Sequence, residues 1–119
     1  MLNLDTHIVV ALLAGTLTRQ EEALVADEPL AFSDIVLWEL AKLVQLGRLE
    51  FDLEHADVQR SLDRFNVLPI TPDVAVTSTR LDFKADPADE IIAATSIVYN
   101  APLLTRDRKI RRSKLVPLA

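Results

Sequence analysis

Four acidic residues lie where one fold could turn them toward each other. Asp5 follows Leu2-Asn3-Leu4, Glu39 lies in Leu37-Trp38-Glu39-Leu40, Asp89 closes Asp86-Pro87-Ala88-Asp89, and Asp107 follows Leu103-Leu104-Thr105-Arg106. Carboxylates packed together repel one another and raise each other's pKa, so a pocket built from them calls for a bound cation. The chain has no cysteine, and its two histidines, His7 and His55, stand apart and read as ordinary polar residues. An oxygen-only ligand set favours Mg2+ or Mn2+ over zinc. Each acid also has a plainer reading. Asp5 sits where a strand hands over to a helix, a usual N-cap position. Asp86 is the natural cap of the helix that follows it, and Asp89 in its first turn answers the helix dipole. Glu39 could simply reach water. The choice rests on the elements that carry these side chains.

Helix boundaries are legible. The only two glycines, Gly15 and Gly47, each close an apolar periodic segment at the left-handed cap position. They predict helices over about Thr6 to Ala14 and, after a Ser33 cap, about Asp34 to Leu46. Thr71-Pro72 and Asp86-Pro87 each place a capping side chain before a proline at the first helical position. Thr18 and Glu21 have capping-box spacing and open a short polar helix, and Asp57 to Phe65 carries a weaker helical period. Between these lie strand-sized apolar runs: Leu2 to Leu4, Leu30 to Phe32, Val67 to Ile70, Pro102 to Leu104 and Leu115 to Leu118. Short strands alternating with helices, without hairpin turns, pair in parallel through right-handed crossovers.

The expected fold is therefore α/β: a doubly wound, three-layer α/β/α sandwich on a short, mostly parallel sheet. Its site should lie at the carboxyl ends of the strands, near the switch in strand order. Asp5, Asp89 and Asp107 all fall on that edge. Around its helix Glu39 projects about 40° from Leu43 and about 60° from Val36, at the margin of the apolar face, where its carboxylate is partly desolvated and can lean over the same edge. Asp89 shares a stripe with Ile92, Ala93 and Ser96, although the helical wheel alone does not choose it over Glu90.

With 119 residues, half of them hydrophobic, the chain reads as one domain over residues 1–119 whose core needs neither disulfide nor structural metal. The longest apolar run, Ile8 to Gly15, falls well short of the ~20 residues of a membrane span, and Asp5 and His7 interrupt the place of a secretion signal. A cytoplasmic protein with no membrane partner is expected. The net charge of −5 taken whole argues weakly against nucleic acid, but its distribution is uneven. Residues 1–100 carry 17 acidic and 7 basic side chains, whereas residues 101–119 carry 1 acidic and 6 basic ones. The basic tail holds Arg106, Arg108, Lys109, Arg111, Arg112 and Lys114. The six aromatics are scattered and offer no base-stacking platform. Trp38 projects from the polar side of its helix beside Lys42 and Gln45, which suggests contact with a partner surface.

Taken together, Leu4-Asp5-Thr6-His7, Leu37-Trp38-Glu39-Leu40 with Leu46-Gly47-Arg48-Leu49, Asp86-Pro87-Ala88-Asp89 with Ile92-Ala93-Ala94, and Leu104-Thr105-Arg106-Asp107 resemble PIN domains, most closely the VapC-type toxins of toxin–antitoxin pairs. The resemblance spans nearly the whole chain. It implies a metal-dependent ribonuclease whose active-site acids match Asp5, Glu39, Asp89 and Asp107. Asp5 and Asp89 match the family's best-attested metal ligands, Glu39 and Asp107 match acids that bind metal directly or through water, and Thr105 matches a Ser/Thr position lining the site. It also implies a small antitoxin that covers the acidic pocket, and a homodimer. One departure is Glu90, where relatives often carry an arginine. The chemistry suits the residues: phosphodiester hydrolysis needs an activated water and neutralisation of charge on the phosphate, and carboxylate-held Mg2+ or Mn2+ supplies both. Asp5, Asp89 and Asp107 are the expected metal ligands, with Thr6, Thr105, Arg106 and Arg108 as substrate contacts.

Two other readings compete. A phosphoacceptor receiver domain would suit the length and architecture, but it needs an Asp after the third strand and a Lys after the fifth. Here Thr71-Pro72 and Pro117-Leu118-Ala119 stand instead. A PIN-like domain serving only as an interaction module is the other, against which the presence of all four acids argues.

Overall fold

Leu2, Asn3 and Leu4 form the first strand, β1 (Leu2–Leu4), and all three are buried in the computed structural model, which describes all 119 residues. A strand buries successive side chains only where both faces of its sheet are covered, as in parallel sheets flanked by helices. β2 (Leu30–Ser33), β3 (Asn66–Leu68) and β4 (Leu103–Leu104) complete a four-stranded sheet in the order β3-β2-β1-β4. Every pairing is parallel: Leu2 opposite Leu30, Asn3 opposite Leu103, and Phe32 opposite Val67 fix the register. The chain runs outward from β1 to β2 and β3, then returns to lay β4 on the other side of β1. The switch in strand order thus falls between β1 and β4, and Asp5 and Thr105 leave the sheet side by side there. The expected fifth strand over Leu115 to Leu118 is reduced to one parallel bridge between Leu103 and Leu118. Pro117 accepts from the Leu103 amide but has no amide of its own, so no ladder extends along this segment.

The helices are α1 (Thr6–Ala14), α2 (Arg19–Val25), α3 (Ile35–Gln45), α4 (Ala56–Leu62), α5 (Pro72–Ser78), α6 (Pro87–Tyr99) and the single turn α7 (Arg108–Arg111). None is long and apolar enough to cross a membrane. Gly15 closes α1 at φ 71° and Gly47 follows α3 at the same φ, as their places in the sequence predict. Asn100 ends α6 at φ 51°, the one non-glycine in this left-handed region. The Thr18–Glu21 capping box forms in full, and the Thr71 hydroxyl accepts from the Val74 amide. Asp86 departs from expectation: its side chain makes no capping hydrogen bond and is exposed.

The core joins Leu2 and Leu4 of β1, Ile8 and Val9 of α1, Phe32 of β2, Val36 and Leu40 of α3, and Ile92 and Ala93 of α6. α6 packs against α5, α3 and β2 and is buried from Ile92 to Ser96. Asn3 ties it to the sheet: its amide nitrogen donates to Ser96 Oγ (2.9 Å) and to the Ile92 carbonyl (3.3 Å), while its Oδ1 is buried without a partner.

Candidate active site

Asp5 is the first residue beyond β1 and is buried at 3% exposure. A carboxylate this far from water needs donors at its oxygens. The Thr6 amide donates to Oδ1 (2.8 Å), and the Thr105 hydroxyl donates to Oδ2 (2.6 Å) across the switch point. Thr105 in turn accepts from the Asp107 amide (3.0 Å), so one buried hydroxyl fixes the loops after β1 and β4 relative to each other. Asp107 caps α7, its Oδ1 accepting from the amides of Lys109 (2.8 Å) and Ile110 (3.1 Å), which leaves Oδ2 free. Glu39 leans in from α3 as its place on the wheel predicts. The Thr6 hydroxyl donates to its Oε1 at 2.5 Å.

The electrostatics report the crowding. Burial and then the charges of Asp5, Glu39, Asp107 and Asp86 push the Asp89 carboxyl up to about 6. Burial also raises Glu39, opposed by its Thr6 hydrogen bond and reinforced by the charge of Asp5. Both shifts favour the neutral form, and a nearby cation would reverse them. Asp89, and not Glu90, lines the same hollow as Asp86 and Asp107. Its neighbour Glu90 points elsewhere and accepts from the Ala85 amide.

Asp89, Asp107 and Asp86 line a hollow of about 420 Å3 with Lys84 and Lys109. Asp107 is shared with a second hollow of about 460 Å3 that His7, Thr16 and Arg106 also line. The donor set is oxygen-rich and under mutual repulsion, which suits a hard divalent cation. No three carboxylate or imidazole groups stand close enough to hold an ion between them.

The expected substrate contacts divide. Thr6 and Thr105 are buried, with their hydroxyls committed to Glu39 and Asp5. Arg106 is committed to Glu21 of α2, Nε donating to Oε2 (2.8 Å) and a terminal nitrogen to Oε1 (2.6 Å). That guanidinium holds the Glu21 carboxyl down at about 2. Arg108 remains exposed. Three residues at this edge were not singled out from sequence. Asp86 was read as a cap, Lys84 carries no motif, and Glu21 was recognised only for its capping box, because Arg106 is far away along the chain.

Comparison with known proteins places the chain among relatives of the same family and fold. The PIN domain family model matches residues 3–114. Ribonuclease VapC22 of Mycobacterium tuberculosis is 37% identical over 89 residues, 72% of this chain and 68% of that protein. Among solved structures, a toxin–antitoxin complex from Klebsiella pneumoniae superposes with a TM-score of 0.71 at 23% identity, covering 94% of this chain and 91% of that one. VapBC2 from Rickettsia felis, bound to a DNA fragment from its promoter, gives 0.71 at 22% identity over 100% and 98% of the two chains. The parallel sheet, the acids at its switch point and the match along nearly the whole sequence have one explanation: the chain belongs to the PIN-domain family, with the VapC-type members among its relatives.

Proposed function

We propose that this chain is a divalent-metal-dependent endoribonuclease and the toxin of a toxin–antitoxin pair. The observation that carries the reading is the set of carboxylates at the switch point, with Asp5 held by Thr105, Glu39 held by Thr6, and Asp89 raised first by burial and then by the charges of Asp5, Glu39, Asp107 and Asp86. Asp5, Asp89 and Asp107 are the residues that would hold Mg2+ or Mn2+. When bound, the ion neutralises charge at the scissile phosphate and acidifies water. The protein supplies the rest. Thr6 occupies one oxygen of Glu39 and leaves Oε2 to take the proton of the attacking water. Lys84 and Lys109 at the rim of the acidic hollow offset the repulsion that RNA would otherwise meet. The named relatives include a ribonuclease and toxin–antitoxin complexes, which supports an RNA substrate and a small antitoxin as partners.

Purified protein freed of any antitoxin should cut single-stranded RNA with Mn2+ or Mg2+, and Asp5→Ala and Asp89→Ala should each lower the rate by roughly 10²-fold or more. RNA left intact with both metals, or full activity in either variant, would sink the assignment. A second reading, an interaction domain without turnover, draws on the absence of any three acids close enough to share an ion. RNA cleavage separates the two, since a non-catalytic metal-binding interaction domain keeps a metal site but leaves RNA intact with Mn2+ or Mg2+.

A further inference from the structure

The largest hollow on the molecule, about 820 Å3, lies on the far side of Arg106 from the acids, between α2 and the turn into α7. Three arginines line it, and their states differ. Arg106 is paired with Glu21, so its charge is matched and its position fixed. Arg108 and Arg111 have no carboxylate within 4.0 Å. Arg111 uses one terminal nitrogen to donate to the Thr105 carbonyl (3.2 Å), which turns its guanidinium into the hollow's wall. Leu24 of α2, 41% exposed, gives the opposite side an apolar surface.

This hollow shares Arg106 with the hollow of Asp107 and adjoins the acid site along residues 105–108. Thr105 lines it and holds Asp5, Arg106 lines it and the neighbouring hollow of Asp107, and Arg108 begins α7 with Asp107 as its cap. A polymer lying on Asp107 therefore reaches the hollow in one step across the fixed Arg106. Two unmatched guanidinium groups beside an apolar wall fit a group with one negative charge and one flat ring per repeat. Each nucleotide of RNA carries both in one unit, whereas an acidic peptide carries its charges and its rings on separate residues.

Resting on the ribonuclease reading, we propose that this hollow binds the nucleotide flanking the scissile phosphodiester of a single-stranded RNA, its phosphate on Arg108 and Arg111 and its base against Leu24. Arg106 does not bind phosphate. It is the positioned ridge over which the strand passes.

The test compares wild type with Arg108→Ala/Arg111→Ala on an RNA oligomer of about ten nucleotides and on a dinucleotide, which has no flanking phosphate. The double variant should raise KM for the oligomer by about 10- to 100-fold, with the loss in KM rather than kcat, and the penalty should be at least tenfold smaller on the dinucleotide. The slope of log affinity against log salt should flatten by about 0.7, the loss of one phosphate contact on a single strand. Arg108→Ala alone keeps the Arg111 bond to Thr105 intact and should give part of the effect, and Arg108→Lys should recover the salt slope. Equal penalties on the two substrates, or an unchanged oligomer KM, would overturn the proposal. Anisotropy of the labelled oligomer on Asp89→Asn protein, measured without metal, reports binding apart from turnover. If the arginines govern binding there while wild type cuts no RNA, the nuclease reading fails and the subsite stands. If they weaken only the antitoxin complex, the hollow belongs to the protein partner.

Discussion

Asp89 shows what a single carboxyl in this setting does to the whole chain. Burial and four acidic neighbours favour its neutral form, so its carboxyl titrates at about 6 rather than 3.8. Without metal, its contribution to stability is complete below the ordinary carboxyl range and disappears as pH rises through 6. Metal-free protein should therefore melt at a lower temperature at pH 7.5 than at pH 5. Mn2+ should raise the melting temperature at the higher pH, and Asp89→Asn should flatten the profile. Scanning calorimetry with EDTA and with Mn2+ measures this, and a metal-free melting temperature that climbs between pH 5 and 7.5 would contradict it. The sequence made Asp5, Glu39, Asp89 and Asp107 visible because each sits at a boundary or on a helical margin that can be read from spacing. It did not separate Asp89 from Glu90, since both faces of α6 are apolar; the Ala85 amide, which Glu90 accepts from, belongs to the preceding loop. Asp86 was misread because an Asp before a proline usually caps, whereas here its side chain makes no capping bond and joins the acidic hollow.

Elements that carry no chemistry still set the spacing of those that do. Glu21 accepts from the Thr18 amide (2.9 Å) and from Arg106, so one side chain both starts α2 and clamps it to the segment carrying Thr105 and Asp107. Held down at about 2 from 4.5, Glu21 lends stability that is present above pH 4.5 and lost as pH falls toward 2. Glu21→Gln should cost about 1–2 kcal/mol at pH 7, as a partly exposed ion pair with charged hydrogen bonds does. The cost should shrink at pH 3, as urea unfolding of both proteins would show; a constant difference across that range would argue against the clamp. Half of this device was legible, since a capping box is a local pattern. The other half joins residues 85 apart, which no local pattern encodes. The same limit explains β4 and its neighbour. The run Leu115 to Leu118 has strand composition, but Pro117 in its middle leaves room for one bridge only.

At the scale of the molecule, net charge was the wrong summary and its placement the useful one. The acids meet at one sheet edge, while Arg108 and Arg111 line the adjoining hollow. Away from that edge, Leu37, Trp38 and Leu46 are 40%, 54% and 62% exposed on α3 and its end, and Lys42 covers the Trp38 ring at 5.9 Å. The homodimer that the family resemblance implies would use such a face. Trp38→Ala should weaken self-association by about 2 kcal/mol, roughly 30-fold in the dissociation constant, read by light scattering across a dilution series. A dimer of unchanged strength would place the interface elsewhere. The pairing of β1 with β4 also has a consequence for how the protein is born. Asp5 leaves the ribosome 100 residues ahead of Thr105, whose hydroxyl holds it. At about 5–20 residues per second, the nascent chain passes roughly 5–20 s with this acidic edge unassembled. The buried carboxylate of Asp5 therefore waits for its second donor until the segment carrying Thr105 has been made.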